Sequence, residues 1–365
     1  MTAVEPRKIL VRVPNWVGDA VLSLPALDKL RERFPAAELT VLARPHVAGL
    51  YANRPGILRV HVFDHCGQHR GWGGWRRLAA ELAAERFDLA VLFQNAFQAA
   101  LLAFLARIPR RVGYARDARG PLLTDPVPVP RPQEIPPHET YYYLELLRRA
   151  GWLETLPAVE RIPLTPAPAA VERMRVRLRE HGLASDGATR RLRVVLAPGA
   201  SYGSAKCWLP ERYAALADRL VEADNAAVLL CGTPAEAELG AAISARMKHK
   251  PVSLIGATTL EDFLGLLPAA DLFIGNDSGA MHLAAGVGLP QVIIFGPTDE
   301  AGTGPLNPRA RLVKHPVSCS PCFLRRCPVD HRCMTGVTVE DVWQAARAAL
   351  ADLPDRQPGR GAARP

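Results

Sequence analysis

One pattern recurs along this chain and constrains its fold more than any other feature. A short, β-branched apolar run is followed by a turn and then by a helical stretch whose apolar residues lie three and four positions apart. The pattern begins at Lys8 and starts afresh at Arg193. Because strands that alternate with helices form parallel, doubly wound sheets, the sequence predicts an α/β protein.

The length of the chain and the breaks in this pattern predict two domains. The 365 residues, 48% of them hydrophobic, supply enough apolar material for two cores. We expect two Rossmann-like domains that face each other across a cleft, where ligands bind at the carboxyl ends of the strands. The predicted segments are an N-terminal domain, a linker helix, a C-terminal domain and a disordered tail, at 1–165, 166–190, 191–350 and 351–365.

Charge and hydropathy limit which partners the protein can bind and where in the cell it is expected. No segment approaches the roughly 20 apolar residues of a membrane-spanning helix, and the first residues lack a secretory signal, so we expect a cytoplasmic protein. The net charge of +9 attracts nucleic acid, anionic lipid or phosphorylated sugar. Because no nucleic-acid-binding motif accompanies the basic residues, nucleic acid is the weaker hypothesis.

Polar residues follow the first strand and a later one. Asp19 stands at the start of a helix predicted over Asp19–Phe34, where it could cap the helix or act as a general base toward a sugar hydroxyl. After the strand at Leu272–Ile274, small residues open another helix, whose free amides and positive end suit a phosphate. There His282 shares a helical face with Ser278, although this spacing alone favours a packing histidine.

Two further loops after strands contain candidate donor-binding residues. Lys206 lies in a loop of small residues, where its charge could stabilise a leaving diphosphate. Glu236 follows the strand that ends at Cys231 and could bind both hydroxyls of a ribose. For each residue, a solvated surface side chain is the alternative.

Four blocks of the sequence resemble glycosyltransferase family 9, and the resemblance runs from about Ile9 to about Leu350. They are PNWVGDAVLSLPAL, QNAFQAALLAF, PGASYGSAKCWLPERYA and NDSGAMHLAAGVGLPQVIIFGPT. The resemblance implies a GT-B fold, an ADP-heptose donor and inversion at the anomeric carbon, with no metal required for catalysis. Within the family, the motifs look most like those of the enzymes that add the second heptose to the inner core of lipopolysaccharide.

The resemblance also implies roles for individual residues. Asp19 matches the catalytic base, Lys206 the lysine on the donor phosphates, and Glu236 the ribose-binding acid. The implied donor-binding set is Ser201, Lys206, Glu236, Asp277, Ser278, Gly279 and His282. The acceptor, a Kdo-lipid A-type anionic glycolipid, would contact Asn15, Asn95, Arg111, Arg116 and Arg119. The basic surface could hold the protein peripherally at the inner membrane, but a solvated basic face is an equal alternative for each arginine.

Four clustered cysteines form a separate motif, at Cys319, Cys322, Cys327 and Cys333. Disulfides are disfavoured in the cytoplasm. The CxxC pair of Cys319 and Cys322 and the two cysteines that follow it therefore predict a structural metal, either zinc or an iron–sulfur cluster. Reduced thiols without a ligand are the alternative. We assign the cluster no catalytic role.

Three other functions compete with this interpretation. A family relative could add the first heptose or transfer another sugar. A nucleotide-dependent oxidoreductase predicts a GxGxxG turn after the first strand, where the chain has only Gly18. A basic, metal-stapled nucleic-acid-binding protein would leave Asp19 and the segment from Asp277 to His282 unexplained.

Overall fold

The computed structural model describes residues 5–183 and 191–351. It divides into two compact units, with the boundary between Ile162 and Pro163. We call them unit one and unit two and describe each by itself.

Unit one is built on a parallel sheet of six strands in the order β3-β2-β1-β4-β5-β6. Its strands are β1 Lys8–Arg12, β2 Glu38–Ala43, β3 Ile57–Val62, β4 Leu89–Leu92, β5 Arg110–Tyr114 and β6 Asp125–Val127. Its helices are α1 Val17–Leu22, α2 Leu24–Arg33, α3 Pro45–Ala52, α4 Gly71–Ala84, α5 Phe97–Leu105 and α6 Thr140–Arg149. All four residues of β4 are buried, as expected of a central strand covered by helices on both faces.

The helix predicted over Asp19–Phe34 is two helices in the structure. The first ends at Leu22, and the second begins at Leu24 with Pro25 in its first turn. Proline has no backbone N–H to continue a preceding helix but is well suited to a helix start. The break therefore follows from the sequence, and the prediction of one continuous helix was wrong.

Unit two repeats the same architecture, with a parallel sheet in the order β12-β11-β10-β7-β8-β9. Its strands are β7 Arg193–Ala197, β8 Ala227–Leu230, β9 Val252–Ser253, β10 Leu272–Asn276, β11 Gln291–Phe295 and β12 Ala310–Lys314. Its helices are α7 Pro168–Glu180, α8 Pro210–Asp224, α9 Ala237–Ser244, α10 Leu260–Leu266, α11 Gly279–Gly286, α12 Glu300–Thr303, α13 Arg332–Thr335 and α14 Val339–Ala351. The prediction of two doubly wound units is confirmed.

Helix α7 belongs to unit two, which corrects the linker helix predicted at 166–190. It packs against α10, where a Cβ added at Gly265 would lie 2.6 Å from the backbone of Ala170. Arg173 Nη2 also pairs with Asp262 Oδ1 at 2.6 Å. The helix is thus held by close backbone packing and an ion pair. Residues 184–190 and 352–365, the second covering nearly all of the predicted tail, lie outside the described residues.

The strand orders fix where a ligand should bind. In each sheet the order reverses beside the first strand, between β1 and β4 in unit one and between β7 and β10 in unit two. Doubly wound sheets bind ligands at the carboxyl ends of the strands at this point. The loops that follow β1 and β4 are therefore the candidate site of unit one, and the loops that follow β7 and β10 are that of unit two. Within the described residues, no helix is long and apolar enough to cross a membrane.

Candidate functional site

An ion pair joins the two loops at the switch point of unit two. Lys206 ends the 3-10 turn Ser204–Lys206 after β7, and Asp277 directly follows β10. Lys206 Nζ lies 2.5 Å from Asp277 Oδ2, and the Thr298 hydroxyl donates to the same oxygen at 2.6 Å. The two side chains are only 12% and 5% exposed. The structure therefore brings together two of the residues that the sequence singled out and holds the lysine in one place.

Asn276 connects the same two loops by hydrogen bonds. The sequence analysis assigned it no role. It is fully buried, and its Nδ2 donates to the carbonyl of Pro198 at 2.6 Å. Its Oδ1 accepts from the Trp208 backbone at 3.2 Å and from the Tyr213 hydroxyl at 3.0 Å. All the bonds of this amide are directed at neighbouring loops and helices. The signal for it was present in the sequence, since a polar residue ends an otherwise apolar strand.

The start of α11 offers unpaired polar groups beside this ion pair. Ser278 is the N-cap residue, yet its side chain makes no capping bond, and its buried Oγ has no hydrogen-bond partner among the described residues. Gly279 N and Ala280 N make no hydrogen bond with a described residue, whereas Met281 N donates to Ser278 O at 3.2 Å. His282 lies one turn further along and is 5% exposed. A phosphate at this helix start would satisfy the hydroxyl and amides, so the arrangement fits a diphosphate.

The cysteine-rich segment 319–333 passes over the turn that holds Lys206. Ala205 N donates to Arg325 O at 3.1 Å, and Tyr202 Oη donates to Phe323 O at 2.6 Å. A Cβ at Gly203 would lie 2.2 Å from Arg325 O, so glycine is needed for this close approach. This segment therefore fixes the position of the Lys206 turn, a function that the cysteine spacing does not reveal.

The four cysteines themselves differ in exposure. Cys319, Cys322 and Cys327 are exposed, whereas Cys333 is buried, and burial raises the pKa of its thiol. Among the described residues, no three His, Cys, Asp or Glu side chains are placed to hold one metal ion. In this arrangement the thiols have the right chemistry for a metal but not the positions. Metal binding stays a prediction.

Glu236 and Ser201, the other predicted donor contacts, lie at the edge of the β7 loop. Glu236 Oε2 accepts from the Thr233 backbone at 2.6 Å and from its hydroxyl at 3.1 Å, which makes it part of a capping box. Its Oε1 lies 1.7 Å from the point that a Cβ on Gly199 would occupy. The carboxylate thus packs on the glycine of the loop, and Ser201 is exposed close by in sequence. Their contacts with a ribose or donor stay predictions.

In unit one, Asp19 occupies the third position of α1, not its N-cap. Trp16 is the N-cap residue. The preceding loop is held by Asn15, whose Oδ1 accepts from Arg12 Nη2 at 2.7 Å and whose carbonyl lies 2.6 Å from His46 Nε2. The simple capping alternative for Asp19 is therefore wrong. The Asp19 carboxylate lies in the first helical turn, and its role as a base stays a prediction.

Glu139 is a second carboxylate near Asp19, and sequence analysis did not find it. Burial and the negative charge of Asp19 raise its pKa to about 7, while Arg116 opposes this shift. With His138 and Tyr142, it lines a surface cavity of about 270 Å³. A carboxyl group with such a pKa can gain or lose a proton near neutral pH. No spacing rule links it to Asp19, because the two lie 120 positions apart in the chain.

The predicted acceptor residues fall into two groups. Arg119 is fully buried, donates to Tyr114 O and Gln94 O, and lies 3.2 Å from Asn95 Oδ1, so it holds the loop after β4 instead of presenting its charge to solvent. Arg111 is likewise bonded to two backbone carbonyls. Arg116 is exposed, with Nη1 3.3 Å from the Tyr142 hydroxyl. Of the three arginines, Arg116 is the exposed one, and its Nε also lies 3.5 Å from Asp117 Oδ1.

Comparison with known proteins gives one consistent result. The profile of glycosyltransferase family 9 (heptosyltransferase) matches residues 75–332. Lipopolysaccharide heptosyltransferase 2 of Salmonella typhimurium is 30% identical over 314 residues, which cover 84% of this chain and 88% of the relative. The same enzyme of Escherichia coli K12 is 30% identical over 312 residues, with the same coverage. The solved structure of the E. coli ADP-heptose lipopolysaccharide heptosyltransferase II has a TM-score of 0.78 at 27% identity and covers 94% of this chain and 98% of its own.

Proposed function

Since the chain belongs to glycosyltransferase family 9, we propose that it transfers heptose from ADP-heptose to the inner core of lipopolysaccharide, as the second heptose. The similarity to lipopolysaccharide heptosyltransferase 2 of Salmonella and E. coli, and to the solved E. coli ADP-heptose enzyme, supports this assignment. Addition of the first heptose is the main alternative, because a family relative with that activity would need the same donor chemistry.

The observation that carries the proposal is the group of residues at the switch point of unit two. Lys206 supplies a fixed positive charge, the start of α11 supplies free amides, and Ser278 supplies a buried hydroxyl without a partner. A nucleotide diphosphate needs cationic and hydrogen-bonding groups of this kind. A nucleic-acid-binding protein does not require them, and a dinucleotide-dependent oxidoreductase would also need the GxGxxG turn, where the chain has only Gly18 after β1.

The proposed reaction is a single displacement at the anomeric carbon. An acceptor hydroxyl oxygen forms the new bond to that carbon, its proton passes to the Asp19 carboxylate, and the bond to the diphosphate breaks so that ADP leaves. Attack from the face opposite the leaving group inverts the configuration. General-base help of this kind typically contributes 10² to 10⁴-fold in rate.

Lys206 and the amides of α11 would stabilise the charge that develops on the departing ADP. Because these groups are already held by Asp277, Asn276 and the segment 319–333, they need little reorganisation during the reaction. The scheme uses no bound metal. Glu236 and Ser201 are assigned to the ribose end of the donor, and His282 and Gly279 to the diphosphate and donor sugar.

We assign the acceptor to unit one, where Asn15, Asn95 and Arg116 lie in or near the loops after β1, β4 and β5. The negative charge of an acidic glycolipid of the Kdo-lipid A type complements the net charge of +9 on the protein. A lipid-linked acceptor also implies that the protein acts at the cytoplasmic face of the inner membrane and attaches to it peripherally.

Donor choice tests this proposal. The purified protein is incubated with inner-core acceptor and, in separate reactions, with ADP-heptose, ADP-glucose or UDP-glucose, and the acceptor is analysed by mass spectrometry. Gain of one heptose with ADP-heptose alone supports the assignment. Transfer of a hexose, with no heptose transfer, would replace the proposed donor.

A further inference from the structure

We propose that Arg44, supported by Arg12, binds an oxyanion, either a phosphate or a carboxylate group, at the carboxyl ends of β1 and β2 in unit one. The site lies beside the loop that leads to Asp19. The inference deepens the proposed function and rests on it for the identity of the ligand, since it assigns a place to an acidic group of the acceptor.

The guanidinium of Arg44 makes no hydrogen bond or ion pair with any residue that the structure describes. Arg44 directly follows β2 and is the N-cap residue of α3. Its Nε and Nη1 are shielded from solvent without a hydrogen-bond partner, and it forms no ion pair with any described acidic side chain. The residue as a whole is partly exposed, so its outer edge can be reached from outside. A guanidinium has five N–H donors, and leaving donors buried and unmet is costly.

A second arginine increases this cost. Arg12 is 2% exposed, and both guanidinium groups lie over the ring of Phe63, at 5.8 Å from its centroid for Arg12 and 4.4 Å for Arg44. Burial and the charge of Arg44 lower the pKa of Arg12 to about 9. Two like charges are thus held together in a poorly solvated place with no counter-charge from the described residues.

The two arginines differ in what they can still bind. Arg12 is engaged, because Nη1 donates to Val13 O at 2.8 Å and to Leu42 O at 3.1 Å, and Nη2 donates to Asn15 at 2.7 Å. Its charge strengthens the local field while its position stays fixed. Arg44 makes no such bonds, and its outer edge, beyond the shielded Nε and Nη1, is the part that a ligand can reach. The planar fork of arginine matches the two oxygens of a carboxylate or phosphate, which makes an oxyanion the chemically fitting counter-charge.

The site is connected to the proposed catalytic loop. Asn15 accepts from Arg12, its backbone carbonyl lies 2.6 Å from His46 Nε2, and it precedes Asp19 by four residues. An oxyanion at Arg44 would therefore hold an acidic acceptor near this loop. Since the acceptor class proposed above carries both phosphates and carboxylates, the test must distinguish the two.

The test measures thermal stability with and without the oxyanion. Arg44→Met keeps the apolar packing on Phe63 but removes the charge, and Arg59→Met is the matched control, because Arg59 is an exposed arginine of unit one that pairs with Glu85. Melting temperatures are recorded at low ionic strength with saturating ADP, and then with added inorganic phosphate or acetate at equal ionic strength. The larger shift identifies the preferred group.

The expected result has two parts. Without an oxyanion, Arg44→Met melts at the same temperature as the wild type or higher, because an uncompensated charge is gone. Phosphate or acetate raises the melting temperature of the wild type and of Arg59→Met but not of Arg44→Met. Equal shifts in all three proteins, or a marked loss of stability in Arg44→Met without any oxyanion, would overturn the inference and make Arg44 a structural residue.

Kinetics separate this inference from the proposed function. Arg44→Met should raise KM for the acceptor about tenfold or more, while KM for ADP-heptose and kcat stay near the wild-type values. An unchanged acceptor KM would contradict the inference alone. If the wild type transfers no heptose, the proposed function fails, and the phosphate and acetate melting shifts still decide whether Arg44 binds an oxyanion.

Discussion

Lys206 Nζ and Asp277 Oδ2 lie 2.5 Å apart and join the loops that follow β7 and β10. The positive charge of Lys206 and the negative charge of Asp277 neutralise each other, and the Thr298 hydroxyl donates a further hydrogen bond to the carboxylate. A donor diphosphate bound as proposed would share Lys206 with Asp277. In that case the stability of unit two and the affinity for the donor depend on the same contact.

Lys206→Ala should lower both stability and donor binding. Removal of one partner from a buried pair leaves an uncompensated charge and costs about 3 to 5 kcal/mol. Urea denaturation measures the stability, and titration with ADP measures the affinity. Lys248→Ala is the control, because Lys248 forms an exposed pair with Glu222 whose loss costs about 1 kcal/mol or less.

The double variant Lys206→Ala/Asp277→Asn separates the two effects. It should recover part of the lost stability, since no unpaired carboxylate remains, but it should not recover ADP binding. Recovery of ADP affinity together with stability would assign Lys206 a structural role only.

Asp19→Asn should lower kcat by about 10² to 10⁴-fold, the range that general-base catalysis usually supplies. The affinity for ADP-heptose should change by less than about twofold, because the proposed diphosphate contacts all lie in unit two. Single-turnover kinetics and donor titration measure the two quantities. Asp28→Asn is the control in unit one, because Asp28 lies in α2, pairs with Arg54 and has no proposed role in catalysis. A near-normal kcat in Asp19→Asn would remove Asp19 as the base.

Glu139 should make stability depend on pH between about 4.5 and 7. Its pKa is raised to about 7 in the folded protein from an ordinary value of 4.5, so the folded state binds more protons than the unfolded state within this window. Its contribution to stability is therefore full below pH 4.5 and is lost as the pH rises through 7, by an amount on the order of 3 kcal/mol.

Glu139→Gln should remove this part of the pH dependence and be more stable than the wild type at pH 8. Urea denaturation at several pH values measures the effect. Glu134→Gln is the control, because hydrogen bonds to the Arg131 backbone and to Arg149 lower the pKa of that carboxyl. Parallel pH curves for the wild type and Glu139→Gln would show that Glu139 does not titrate in this range.

The cysteine prediction is tested by metal analysis of protein purified under reducing conditions. If the cluster binds a metal, the wild type should contain zinc or iron in a stoichiometric amount, and Cys322→Ser should lose it. Cys66→Ser, which changes an exposed cysteine outside the cluster, should retain it. Visible absorbance distinguishes an iron–sulfur cluster from zinc. Wild-type protein free of both metals would support the reduced-thiol alternative.

The sequence predicted the sheets and the main donor loop because these depend on local patterns. Apolar runs such as Leu272–Ile274 indicate buried parallel strands, and small polar residues directly after such a run indicate a loop that can bind a ligand. Lys206 and Asp277 were both singled out on this basis. Their direct contact was not predicted, because it joins loops 71 positions apart.

The features that sequence analysis missed or misassigned depend on tertiary contacts. Glu139 is unusual only because it is buried near Asp19, and Arg44 only because none of the described residues accepts a hydrogen bond from its buried Nε and Nη1. Arg119 looked like a surface charge but is fully buried. Helix α7 has the composition of a basic linker, yet its packing on α10 places it in unit two.

The most direct test of the central claim is ADP release from ADP-heptose with two purified acceptors, Kdo-capped lipid A and the same molecule carrying one heptose. Our account predicts release with the heptosylated acceptor and little with the other. Release with Kdo-capped lipid A alone would contradict it and make the protein a transferase of the first heptose.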